Sequence, residues 1–201
     1  MYVPHFNAVD EAEARAMVAS YAVGELVTTG PDGYPLATLL PVVWEGDTVI
    51  AHFARANPHW RAIGTDRPGT PALLVCTGPA AYVHPGWYAA KAEHGKVVPT
   101  WNYSSVHLTG HARVVHDPVW LRDAVERLTD VHEAGRPDRW RVGDAPADYI
   151  EKMLKGIVGV ELAVERVEGK AKLSQNRSAE DRDGVIAGLG DHPVADAMRR
   201  L

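Results

Sequence analysis

From Val97 to Val115 the chain reads VVPTWNYSSVHLTGHARVV, and the second half of that stretch alternates strictly. Val106, Leu108, Gly110, Ala112 and Val114 fall on one side, and His107, Thr109, His111 and Arg113 on the other. A period of two predicts a half-buried β-strand. The first half, Pro99-Thr100-Trp101-Asn102-Tyr103, sets two large aromatics around a carboxamide at the strand's entrance. Similar extended runs recur. LVTTG leads through Pro31-Asp32-Gly33 into YPLATLLPVVW, and Glu45-Gly46-Asp47 leads into TVIAHFA. PALLVCTGPAAYVHP precedes the opening stretch, and VGVELAVERVEGKAKLS follows much later. In the last of these Val158, Val160, Leu162 and Val164 alternate, and the pattern slips near Arg166 as a β-bulge would make it do.

Helical periodicity marks the remainder. DEAEARAMVASYA has Asp10 as its cap, with Glu13 in the capping-box position. Asn57-Pro58 opens a short helix over HWRAI. DPVWLRDAVERLTDVHEA takes Asp117 as cap, and Leu121, Val125, Leu128 and Val131 form its apolar stripe. Arg122 with Glu126, and Asp123 with Arg127, are its expected wet-face pairs. GDAPADYIEKMLKGI, SAEDRDGVIAGLG and PVADAMRRL complete the helices, the second with a Ser178–Asp181 cap. Six or seven short strands in a meander, with helices at the ends and one excursion, predict a small antiparallel β-barrel with peripheral helices. That is an α+β fold. With no repeat and no linker, one domain over residues 1–201 is expected.

Composition narrows the partners. The 201 residues are 46% hydrophobic, enough for a proper core. Lys and Arg total 21 against 26 Asp and Glu, so the net charge is −5. A duplex-coating protein needs a concentrated basic face, and this balance argues against one while leaving local DNA contact possible. The single cysteine, Cys76, sits in the apolar run ALLVCTG and reads as a small buried hydrophobe. It allows no intrachain disulfide. MYVPHFNAVDEAEARAM has no basic segment and apolar core of a signal peptide, and no run of about 18 apolar residues occurs. A cytoplasmic protein without membrane association is the expectation.

Three polar clusters carry candidate chemistry. The ten histidines raise a metal site first, but four residues along a strand span about 13 Å, too far for His107 and His111 to share an ion. No G-x-S-x-G elbow, Rossmann fingerprint or P-loop occurs. AHFARANPHWRAI ends a strand at His52-Phe53-Ala54 and starts a helix at Asn57-Pro58. A helix amino terminus offers unpaired N–H groups to a phosphate, and Arg55 and Arg61 could add fork-shaped donors. An ordinary capped helix with solvated arginines is the plain alternative. KLSQNR, Lys172 to Arg177, brings adjacent Gln, Asn and Arg to the end of the last strand. With Trp101-Asn102-Tyr103, these clusters supply the amides, aromatics and cations that suit a phosphorylated aromatic ring system. Flavin mononucleotide (FMN) answers that description, and so, less specifically, does another nucleotide.

Five segments together resemble one family. MYVPHF, ARANPHW, YVHPGWY, VPTWNYSSVHLTG and KLSQNRSAEDRDGVIAGL occur in order from Met1 to about Leu189. They resemble the PaiB-like family of FMN-binding negative transcriptional regulators. The resemblance implies an FMN-binding split β-barrel and a homodimer with cofactor sites at the subunit interface. It implies that Thr38 and Leu40 border the flavin ring. His52, Ala54, Arg55, Asn57, His59 and Trp60 would surround the ring edge and phosphate. Trp101, Asn102 and Tyr103 would sit at the shared pocket, with Gln175, Asn176 and Arg177 from either subunit. One departure is His84 in YVHPGWY, where the family commonly carries serine.

Three functional readings stay open at this point. The first is an FMN-binding transcriptional regulator, with any DNA role direct or through a partner. The second is an FMN-dependent oxidoreductase or flavin reductase, in which His107, His111 and Tyr103 could supply protons. The third is a haem-binding split barrel.

Overall fold

The computed structural model describes all 201 residues, as eight strands and six α-helices. In chain order they are β1 (Ala8–Val9), α1 (Glu11–Tyr21), β2 (Val23–Thr29), β3 (Pro35–Pro41), β4 (Val43–Glu45) and β5 (Thr48–Ala54). Then come β6 (Thr70–Val83), α2 (Ala90–His94), β7 (Thr100–Val115), α3 (Pro118–Glu133), α4 (Ala147–Leu154), β8 (Ile157–Lys172), α5 (Ala179–Leu189) and α6 (Pro193–Arg199). One sheet runs β3-β2-β6-β7-β8-β5-β4, with β1 added to β8. The β2–β3, β2–β6, β4–β5 and β5–β8 pairings are all antiparallel. No helix is long and apolar enough to cross a membrane.

The expectation of uniformly short strands fails for three of them. β6 has 14 residues, and β7 and β8 have 16 each. The chain forms two compact units, and each of these strands passes from one to the other. One unit comprises 1–14, 77–106 and 168–201, and the other 15–76 and 107–167. A strand that serves two cores changes its burial phase partway. In β8, Val160 and Leu162 are buried at alternate positions, then Gly169, Lys170 and Ala171 are buried in succession. The slip read near Arg166 marks that change of unit.

The 15–76/107–167 unit holds the barrel core. Leu26, Leu40, Val42, Val49, Ala51, Leu74, Val160 and Leu162 close around a residual void of about 10 Å³, at the lower limit for one water. In β7, every residue on the predicted apolar side, from Val106 through Val114, is buried in turn. Gly110 allows β7 its close approach to β8, since a Cβ there would lie 1.8 Å from the Ala163 carbonyl oxygen. Cys76 is fully buried, and burial pushes its thiol pKa up to about 12. Outside the barrel, α3 starts where expected, because Asp117 Oδ1 accepts from the N–H groups of Val119 at 2.7 Å and Trp120 at 2.9 Å. Its Ala124 and Leu128 pack on Val43 and Ile50, and its Leu121 packs on Ile150 and Leu154 of α4. Arg127 pairs with Asp123 as expected and also with Glu45. Arg122, by contrast, makes no ion pair with Glu126. Val131 is 43% exposed, so the apolar stripe ends before the helix does.

In the other unit Ala81, Val83, Tyr88, Ala171, Leu173, Val185, Val194 and Met198 form the core. The strands β6 and β8 contribute their second halves, and α5 and α6 cover them. Ser178 caps α5 by accepting from the Asp181 N–H at 3.2 Å, as its sequence position predicts. The buried Asp181 carboxylate accepts in turn from the Ala90 N–H at 3.0 Å, which fixes the start of α2.

Candidate functional site

The segment after β5 was expected to open a short helix, and it forms a five-residue 3₁₀ helix, Pro58–Ala62. So short a helix sums too few peptide dipoles to bind a phosphate by its end alone. The Asn57 carboxamide already accepts the His59 N–H at 3.0 Å. That removes the dipole basis for a phosphate site here. What the turn does instead is hold His59 under the sheet edge.

His59 is 3% exposed, and both ring nitrogens are engaged. Thr28 Oγ1 of β2 lies 2.9 Å from Nε2, and Thr38 Oγ1 of β3 lies 2.8 Å from Nδ1. The Asn57 amide donates to Thr38 Oγ1 at 3.3 Å. Leu26 and Thr38 are paired across β2 and β3, so Thr28 and Thr38 come from neighbouring strands. Burial holds the His59 pKa below its ordinary 6.5, so the ring is neutral at pH 7. A neutral imidazole has one donor and one acceptor, and the two hydroxyls complete both. Beside these hydrogen bonds lies a cleft of about 460 Å³ whose lining includes Asp32, Leu36, Thr38, Asn57, His59 and Arg61.

The other residues expected around a ring in this unit take different positions. Leu40 faces the barrel core. His52 is largely buried; its pKa is lowered by burial, and its Nδ1 has no hydrogen-bond partner. Ala54 ends β5 and is exposed. The Arg55 guanidinium donates to the carbonyls of Lys155 at 2.8 Å and Ile157 at 2.9 Å, bracing the start of β8. Trp60 Nε1 donates to the Arg55 carbonyl at 3.0 Å, and its ring meets His116 edge-on at 5.7 Å. The structure thus groups Thr38, Asn57 and His59 in one cleft and turns Arg55 elsewhere. His111, read as a possible proton source, pairs with Glu165 at 2.7 Å.

The remaining expected residues belong to the 1–14/77–106/168–201 unit. Asn102 is fully buried, and its amide donates to Ser174 Oγ at 3.0 Å and Met198 Sδ at 3.4 Å. Ser174 returns a hydrogen bond to Asn102 Oδ1 at 3.2 Å and adopts a left-handed φ of 65° to do so. Gln175 is likewise committed, accepting from Leu173 N at 2.8 Å and donating to the Ala171 carbonyl. Asn176 is exposed. Trp101 is 56% exposed and meets Tyr82 edge-on at 6.1 Å.

Sequence reasoning began the KLSQNR cluster at Lys172 without giving it a role and passed over Lys170; the two lysines frame this cluster. Lys170 is 8% exposed and donates to the Tyr103 hydroxyl at 2.8 Å and the Tyr2 carbonyl at 3.2 Å. Lys172 donates to Thr100 Oγ1 at 2.7 Å and to the Trp101 carbonyl. Arg177 lies over the Tyr88 ring at 4.7 Å. None of the three cations has a carboxylate partner. Burial, then the charges of Lys170 and Arg177, lower the Lys172 pKa. Two lysines spaced by one residue in EGKAKLS were the available signal, because i and i+2 share a face of a strand. Thr28 gave no signal of its own.

The antiparallel eight-stranded sheet with its six helices is an α+β split β-barrel. The chain belongs to the family described as "Putative FMN-binding domain", whose pattern matches residues 1–166. It is 32% identical over 208 residues to "Protease synthase and sporulation protein PAI 2" of Bacillus subtilis, covering 100% of this chain and 96% of that one. An uncharacterized Aspergillus fumigatus protein is 36% identical over 171 residues, 71% of this chain and 66% of its own. Among solved structures, the FAD and heme binding protein from Mycobacterium smegmatis shares the fold at a TM-score of 0.64 and 19% identity, over 94% of this chain and 82% of that one. The flavocytochrome Anf3 from Azotobacter vinelandii does so at 0.61 and 19%, over 89% and 76%.

Family membership makes FMN the cofactor of this chain. The donor set suits it. In one unit, hydroxyl, amide and guanidinium groups meet at a cleft that Asp32 also lines; in the other, taken by itself, three cations without a carboxylate partner stand beside tyrosine rings. A phosphate monoester with a planar, acceptor-rich ring calls for those groups.

Proposed function

We propose that this protein is an FMN-binding regulator that works as a homodimer. Thr38, Asn57 and Arg61 offer donors to the polar edge of the flavin, with His59 fixing the Thr38 hydroxyl. In the other unit, taken by itself, Lys172 and Arg177 offer charge to an anion such as a phosphate, and Trp101 and Tyr103 offer aromatic faces. Bound FMN supplies reversible redox chemistry and a large aromatic anion. The protein's residues bind and orient it.

The observation that carries the regulatory reading is the saturation of His59. Acid–base catalysis needs a titratable group free to move a proton near working pH. The imidazole at the cleft is held neutral and bridged by two hydroxyls. Such a network orients a ligand and leaves no proton to deliver. The name of the B. subtilis relative, which refers to protease synthase and sporulation, supports a regulatory role. With a net charge of −5, regulation is better carried through a protein partner than by direct duplex contact. For the dimer, β3 lies at one end of the sheet order and exposes 61% of Leu39, an apolar edge that a second copy can cover.

The test is an absorption spectrum of the purified protein with FMN added and unbound flavin removed, followed by a nicotinamide reductant. A retained two-band spectrum that bleaches slowly is expected. Rapid bleaching would move the protein to the oxidoreductases, and no retained flavin would sink the binding site. Light scattering of the native protein and of Leu39→Glu tests the dimer, with dissociation expected in the variant.

A further inference from the structure

We propose that a second cleft, between the start of α3 and the end of α4, binds a small amphipathic carboxylate. It has a volume of about 430 Å³, within the range of small-ligand sites. Its apolar wall is Pro118, Val119 and Leu121 of α3 with Leu154 of α4. Val119 is 79% exposed, unusual for a valine on a helix whose neighbouring apolar residues are packed.

The cations decide what this wall is for. Arg122 and Lys155 line the cleft and have no ion pair. The same helix pairs its other arginine well, since Arg127 reaches Asp123 and Glu45. Arg122 has Glu126 four residues on, the spacing that pairs on a helix, and does not use it. Arg55 completes the rim, its guanidinium held by the Lys155 and Ile157 carbonyls, with no carboxylate. Glu151 is the one acid, so three cations less one carboxylate leave +2 along the lining. A net positive rim on an apolar wall calls for an anion with a hydrophobic body. One carboxylate matches the arginine fork. A polyphosphate or sugar would leave the apolar wall uncovered.

The test is calorimetric titration of 4-phenylbutyrate, beside its neutral isostere 4-phenylbutan-1-ol, into the protein with FMN in excess. The acid is expected to bind about tenfold more tightly than the alcohol, the worth of one charge-assisted hydrogen bond. In Arg122→Gln/Lys155→Gln that preference disappears while FMN retention stays unchanged. Val119→Glu, at an exposed position that tolerates the change, places a carboxylate at the mouth and abolishes acid binding. Equal affinities for acid and alcohol would overturn the proposal, as would undiminished acid binding in the double variant. Acid binding that weakens as FMN is raised would assign the cleft to the flavin and overturn it equally. Failure of FMN to bind at all is read separately, from the flavin spectrum.

Discussion

The surroundings of His59 and of Lys172 solve opposite problems. Around His59 every polar atom has a neutral partner: two threonine hydroxyls, a carboxamide and a backbone N–H. Around Lys172 three positive groups gather, and their partners are hydroxyls, carbonyls and an aromatic ring. The first arrangement is complete in the protein alone. The second is not, since three like charges, one of them buried, without a counter-ion cost free energy until an anion arrives. A neutral, satisfied network fixes geometry; an uncompensated cationic one reserves binding energy for a ligand.

The largest effect expected from breaking this contrast is at Asn102, which is fully buried and ties β7 to Ser174 and Met198. Asn102→Ala opens a cavity and strands the Ser174 hydroxyl, at a cost of about 2–4 kcal/mol. Urea unfolding should show a lowered midpoint with an unchanged slope. A loss under about 1 kcal/mol would mean that the residue is available to a ligand instead.

Next is Thr28→Val, which keeps the side-chain shape and leaves His59 Nε2 unsatisfied. A cost of about 1–3 kcal/mol is expected. FMN affinity should fall as well, because the Thr38 hydroxyl loses its fixed neighbour. The titration of His59 gives an independent check. Its folded pKa lies below the unfolded 6.5, so the unfolded chain takes up the proton first. The histidine contribution to stability should therefore level off above pH 6.5 and fall as pH drops through it, by at most about 1.4 kcal/mol per pH unit for each such histidine. His52, also lowered by burial, adds with the same sign. Equilibrium unfolding of wild type and His59→Gln across pH 5–8 separates them, and a variant profile identical to wild type would remove His59 from the account.

How much of this was legible in the sequence differs between the two regions. Strand β7 could be read residue by residue, because a half-buried strand prints its burial as alternation. The caps at Asp117 and Ser178 were legible because capping is a local bond. The cap at Asn57-Pro58 marked a short helix, and the structure has one of five residues, Pro58–Ala62; that it is 3₁₀ and not α was not legible. The long strands were read as short ones, since a strand that leaves one core for another changes phase and looks broken. At the site the structure brings three residues together, of which Asn57 and His59 were singled out through the ARANPHW motif and Thr38 through likeness to the fold. Thr28 was not, because its role is created by a partner 31 residues away. Lys170 and Lys172 were visible only as charge. That they lack carboxylate partners is a property of packing, which composition does not record.

The smallest expected effect is also the one that separates the two regions most cleanly. Lys172→Met removes a charge that burial and two neighbouring cations disfavour. In the absence of anions it should stabilise the protein slightly, because solvent screens a partly exposed ammonium and water replaces part of the lost hydrogen bonding. The depressed folded pKa of Lys172 means that the unfolded chain holds the proton more tightly. Wild-type stability should therefore rise with pH between that folded pKa and 10.5, and the variant should lose this rise. Inorganic phosphate then supplies the discriminating measurement. A ligand that binds the folded state stabilises it by mass action, so phosphate should raise the wild-type melting temperature and leave that of Lys172→Met nearly unmoved. Thr28→Val, which leaves the cationic cluster intact, should respond to phosphate as wild type does. If phosphate raised all three equally, the cluster would be an ordinary solvated surface, and the contrast with His59 would lose its functional meaning.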